Sequence, residues 1–172
     1  MVNLSTSIEL KVLAGLLAHP QGGALVELKD WVQQLPWLEE VVAELEKISL
    51  EQWQGEHTHL FLNGFPRTPA PPFMSVWNEG QMGGNTVKQL EQVYRDAGLE
   101  PVEGMPGDYL GTMLEFLAYL LENPKTVEHV DAVAFKERFL LPWIGRFISA
   151  LRDGSELKLY KSLAVRLEKN LA

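Results

Sequence analysis

The chain has 172 residues, 46% of them hydrophobic, with no cysteine and 23 acidic against 15 basic side chains, for a formal charge of −8. A single domain of that length buries roughly 70% of the surface its unfolded form exposes, so it needs no metal or disulfide to hold it. The lack of thiols excludes disulfides, thiolate zinc sites, iron–sulfur ligation and cysteine nucleophiles, and the acidic surface argues against nucleic acid as a partner.

In chain order, Ser5, Thr6 and Ser7 offer N-caps to a helix whose apolar stripe is Ile8, Val12, Leu13, Leu16 and Leu17, closed by the turn Pro20–Gly23. Before it, Met1 to Ser7 lacks the basic head of a secretory signal. No apolar run approaches the roughly 18 residues of a membrane span. A soluble, cytoplasmic protein with no stable membrane insertion is expected. Leu25, Leu28, Trp31, Val32 and Leu35 form a second stripe, broken by Pro36, and Leu38, Val41, Val42, Leu45 and Ile48 form a third. Ser49 with Gln52 reads as a capping box opening a helix that carries Leu50, Trp53, His57, Leu60 and Phe61.

From Asn63 to Asn85 the texture changes. Pro66, Pro69, Pro71 and Pro72 with Gly64, Gly80, Gly83 and Gly84 predict a long loop, possible ground for mobility, since helices and central strands do not tolerate that density. Phe65, Phe73, Met74, Val76 and Trp77 give the same loop large apolar side chains, as in loops that dock or carry function. Helical periodicity resumes at Thr86 and stops at Gly98; Asp108 is a natural N-cap for the strongly apolar stretch Leu110–Leu121, which ends at Asn123-Pro124. Three further helices are expected over Thr126–Leu140, Pro142–Leu151 and Ser155–Leu171. The class is all-α, a single helical domain over 1–172 with a Pro/Gly/aromatic-rich loop at about 63–85.

Motifs for chemistry are sparse. Glu56-x-x-His59 has the ligand spacing of a di-iron bundle but no second copy, and His57 and His59 lie roughly 200° apart on a helix, so one face cannot present both. His129 stands alone. Gly83-Gly84-Asn85-Thr86 opens a helix without the lysine or the strand of a phosphate loop, and no Gly-x-Ser-x-Gly occurs. No cofactor, metal or catalytic residue is expected, and the chain reads as a non-enzyme.

Two segments stand out: Leu60-Phe61 followed by Pro71-Pro72-Phe73-Met74-Ser75-Val76-Trp77, and Met105-Pro106-Gly107-Asp108-Tyr109-Leu110. With the later Leu141–Phe147 stretch and Tyr160, their order and spacing resemble the TorD/DmsD/NarJ family of redox-enzyme maturation chaperones, closest to the TorD/DmsD branch. Met105 and Tyr109 depart from that family's Glu/Gln-Pro-x-Asp-His pattern; Pro106 and Asp108 match it. The resemblance implies a cytoplasmic chaperone that binds the twin-arginine signal peptide, the apoenzyme of a molybdopterin-dependent oxidoreductase, or both, as a monomer or a swapped dimer. It places peptide contacts at His57, Phe61, Pro72, Trp77, Pro106, Asp108 and Tyr109. The alternative is a helical assembly module that docks a partner subunit without reading a leader.

Overall fold

Residues 4–125 and 130–171 are described by a computed structural model. The most apolar stretch of the sequence becomes α7 (Leu110–Glu122), where Leu110, Met113, Leu114, Leu117 and Ala118 are all within a few per cent of complete burial. Its principal neighbour is α1 (Leu4–Leu17), whose Leu10, Leu13, Leu16 and Leu17 are buried. Ser5, Thr6 and Ser7 lie within α1 instead of capping it: Ser7 is fully buried and its hydroxyl donates to Glu122 Oε1 at 2.8 Å, tying α1 to the end of α7.

α2 (Ala24–Trp31) stops one turn before the end of its apolar stripe, and the chain leaves it by a turn over 32–34. The residue before a proline avoids the α conformation, so Leu35 cannot continue the helix into Pro36. α3 (Leu38–Leu45) follows, and then α4 (Leu50–Phe61), opened by the Ser49–Gln52 capping box, with both reciprocal bonds formed at 3.0 and 3.1 Å.

The expected loop over 63–85 contains a helix. Its four prolines all precede Phe73, and the proline-free stretch that follows forms α5 (Met74–Glu79), closed by Gly80 at φ +75°. The proline-rich part is docked: Ala70 is fully buried, its N–H donates to Leu60 O at 2.9 Å, and Trp77 Nε1 donates to Pro71 O at 2.7 Å.

α6 (Asn85–Asp96) leads through a second loop to α7. Beyond Lys125, residues 126–129 lie outside the described residues, and with them His129 and the start of the helix expected at Thr126. The described helix begins as α8 (Ala132–Phe135), capped by the Asp131 carboxylate on Ala134 N. It widens into a π turn over Lys136–Leu140 and continues as α9 (Leu141–Gly154). Pro142 has no N–H to give, and the wider turn sits directly before it, with Leu141 N bonding back to Lys136 O.

α10 (Lys158–Leu171) starts three residues later than expected. Its first amides, Lys158 N and Leu159 N, donate to the two oxygens of Glu44 at 3.0 and 3.3 Å, so a carboxylate of α3 caps it from outside. Among the described residues there is no strand, only an isolated bridge, and no helix long and apolar enough to cross a membrane.

Candidate functional site

The two segments that stand out in the sequence are brought side by side. Phe73 and Tyr109 form an antiparallel bridge, flanked by Met74 N donating to Asp108 O at 3.2 Å and Leu110 N to Pro72 O at 2.8 Å. This pairing aims the Asp108 side chain away from α7. Tyr109, extended at φ −62° and ψ 128°, is the N-cap residue of α7 and supplies no side-chain bond. The expectation that Asp108 caps α7 is therefore corrected. Its Oδ2 instead accepts from Ser75 N at 2.9 Å and Ser75 Oγ at 2.6 Å, in the first turn of α5, and Ser75 Oγ accepts from Gly83 N at 3.1 Å.

One buried carboxylate thus joins the loop before α7 to the first turn of α5 and, through Ser75, to the loop at Gly83. Asp108 is fully buried, and its Oδ1 has no partner. Tyr94 Oη donates to Gly107 O at 2.8 Å beside it. Burial, then the negative charges of Asp108 and Glu91, push the Tyr94 hydroxyl far above its ordinary value, so it remains a donor. The Tyr109 ring leans on Phe73 at 5.8 Å between centroids, and burial with help from Glu115 lifts its hydroxyl to about 12. Gly111 makes room for that ring: a Cβ there would lie 2.4 Å from Tyr109 Cε1.

His57 and Phe61 belong to the core of α4. His57 is 3% exposed, and its Nε2 contacts Leu17 O at 2.8 Å. A carbonyl only accepts, so Nε2 carries the proton and satisfies one of the orphan carbonyls at the end of α1. Nδ1 is buried without a partner. Burial holds the ring below its ordinary pKa, the Leu17 bond opposes that, and the neighbouring His19 adds to it. Phe61, 2% exposed, packs against His57 at 5.0 Å, Tyr160 at 5.4 Å and Phe147 at 6.4 Å, and Phe147 in turn meets Trp77 at 6.3 Å.

The seven residues expected at a peptide site therefore divide. His57, Phe61, Pro72 and Asp108 are buried, while Trp77, Pro106 and Tyr109 are half-buried and reach the surface. The sequence reading missed Ser75, which the carboxylate needs; its place inside the Pro-Pro-x-x-Ser-Val-Trp stretch was a usable signal. It also missed Arg146, whose guanidinium donates to Trp77 O at 2.7 Å and ties α9 to α5; a lone arginine on a helix face gives no such signal. Glu56, of the Glu-x-x-His pattern, accepts from Glu156 N at 2.8 Å, while His59 is exposed. Among the described residues no three His, Asp or Glu side chains are grouped so as to hold a metal.

A second feature lies at the other end of α4. α1, α2 and Trp53 enclose a cavity of about 430 Å³, its apolar wall made by Val12, Leu16, Leu28, Trp31 and Trp53. A further hollow of about 370 Å³ adjoins it, sharing Trp31 and Glu27 and adding Asp30 and Gln34.

The family model described as nitrate reductase delta subunit matches residues 8–149. The chaperone protein YcdY of Escherichia coli strain K12 is 27% identical over 169 residues, covering 92% of this chain and 87% of that protein. A crystal structure described as that of a redox enzyme maturation protein from Archaeoglobus fulgidus superposes with a TM-score of 0.70 at 26% identity, covering 95% of this chain and 91% of that one.

Proposed function

This chain belongs to the nitrate reductase delta subunit family, which comprises redox-enzyme maturation chaperones and not enzymes, and we propose that it holds the apo form of a molybdopterin oxidoreductase before export, binding its twin-arginine signal peptide. The observation that carries this reading is the pairing of Pro72–Trp77 with Pro106–Leu110. It sets Trp77, Pro106 and Tyr109, two aromatics and a proline, as a half-buried apolar rim. Tyr and Trp bury large areas at little entropic cost, which suits them to a protein-binding surface. His57, Phe61, Pro72 and Asp108 serve that surface from beneath by holding the rim.

The work is done in the cytoplasm, where the client is still unfolded or lacks its cofactor. The reading is tested by capture of the client apoenzyme on the immobilised chain, with its leader intact and with its leader removed. Capture that weakens on removing the leader, and weakens again with Tyr109→Ala, supports it. Capture indifferent to the leader would favour the alternative, a module that docks the subunit body alone.

A further inference from the structure

A leader peptide of the kind proposed above has a cationic head and an apolar stretch, so its receptor needs an apolar trough with free carboxylates at one end. On the motif surface the carboxylate of the motif itself, Asp108, does not offer that layout, because it is fully buried and already engaged by Ser75. The hollows beside α2 have it. The larger, about 430 Å³, is walled by Leu16, Leu28, Trp31 and Trp53, a size that accommodates a few apolar side chains. The smaller opens past Trp31 onto Glu27 and Asp30, one helical turn apart on α2.

The charges nearby sharpen the point. Lys11, at the apolar end, is held by Glu122 at 2.6 Å, and Lys29, between the two acids in sequence, by Glu46 at 2.6 Å. Glu27 and Asp30 form no ion pair among the described residues. The local cations are neutralised and the local anions are not.

We propose that the trough between α1 and α2 takes the leader itself, with its apolar stretch against Trp31, Leu16 and Leu28 and an arginine at Glu27 and Asp30. The rim around Trp77 and Tyr109 is then left for the body of the client. This inference rests on the proposed function and assigns its two ligands, leader and apoenzyme, to two surfaces. Charge-assisted bonds from a guanidinium to two carboxylates supply the discrimination, and burial in the trough supplies the affinity.

Gly15 gives the decisive variant. It lines the trough in the last turn of α1, and a Cβ there meets nothing within 4 Å. Gly15→Leu therefore adds apolar bulk to the lining of the trough from a position with open space for its Cβ, and it replaces a poor helix former by a good one. The probe is a fluorescein-labelled synthetic peptide of two adjacent arginines followed by about ten apolar residues, the length of a leader's apolar region. A second probe has both arginines replaced by glutamine.

The parent chain should bind the arginine probe at least tenfold more tightly than the glutamine probe. Gly15→Leu should weaken the arginine probe tenfold or more with an unchanged or raised Tm. Glu27→Gln with Asp30→Asn should abolish the preference between the probes. If the parent binds the arginine probe and both variants bind it equally well, the trough is wrong while the proposed function stands. If the parent shows no saturable binding to either probe, leader recognition itself fails, and the trough assignment falls with it.

Discussion

The paired motif segments and the trough beside α2 share α4 as a neighbour and differ in nearly everything else. In the first, side chains that a motif search would choose are consumed by the fold: Asp108 caps α5, His57 closes α1, and Phe61 fills the aromatic cluster around Phe147. In the second, ordinary helix residues leave a hollow that none of the described residues fills. The signature residues are spent on holding the fold together, while the trough is lined by residues that belong to no motif.

The contrast breaks first at Phe61. Truncating a ring that is 2% exposed and touches three other rings should cost roughly 3–5 kcal/mol, read as a loss of denaturation midpoint, whereas Gly15→Leu should cost nothing. A Phe61→Ala protein as stable as the parent would place that ring outside the core.

Asp108 comes next. Alanine there orphans the buried Ser75 N–H and hydroxyl, and each unmet buried donor costs roughly 1–3 kcal/mol. Asparagine keeps an oxygen for both donors and removes a buried charge that has one unpartnered oxygen, so it should leave stability close to that of the parent. Thermal melts of the two variants check this; equal damage from both would mean that the negative charge itself is needed.

His57 provides a smaller, pH-dependent effect. Its folded pKa lies below the ordinary value of about 6.5, so between those two values the unfolded chain binds the extra proton. This contribution to stability is complete above about pH 6.5 and declines as pH falls below it. His57→Phe should flatten that decline in denaturant melts across the acid range, although it also loses the bond to Leu17 O. An unchanged slope would assign the acid limb to other groups.

The smallest effect expected is that of salt on the trough. Raising ionic strength from about 0.1 M to about 1 M shortens the screening length from about 10 to about 3 Å, and should weaken the arginine probe a few-fold. The glutamine probe should scarcely respond. Identical salt responses in a binding titration would remove Glu27 and Asp30 from recognition.

Much of the architecture was legible before any coordinates. The apolar stripes of α1, α4, α6 and α7 fall in helices as the periodicity requires, the Ser49–Gln52 box opens α4, and Pro142 lies near the start of α9, whereas the caps expected for α1 and α7 are not used as such. These signals act within a turn or two of chain, where local sterics and hydrogen bonding decide the outcome. The sequence by itself determined an all-helical chain without thiol chemistry, and singled out the two segments that the fold pairs.

Tertiary structure alone decided what those segments do. Whether Asp108 caps the helix that follows it or the one that begins 34 residues earlier depends on the bridge between Phe73 and Tyr109, a pairing that no local propensity specifies. Glu44 capping α10, and the trough that α1, α2 and Trp53 leave open, have the same origin. Burial and long-range partners follow from which elements meet, and a carboxylate reads alike in sequence whether it faces water or a buried amide.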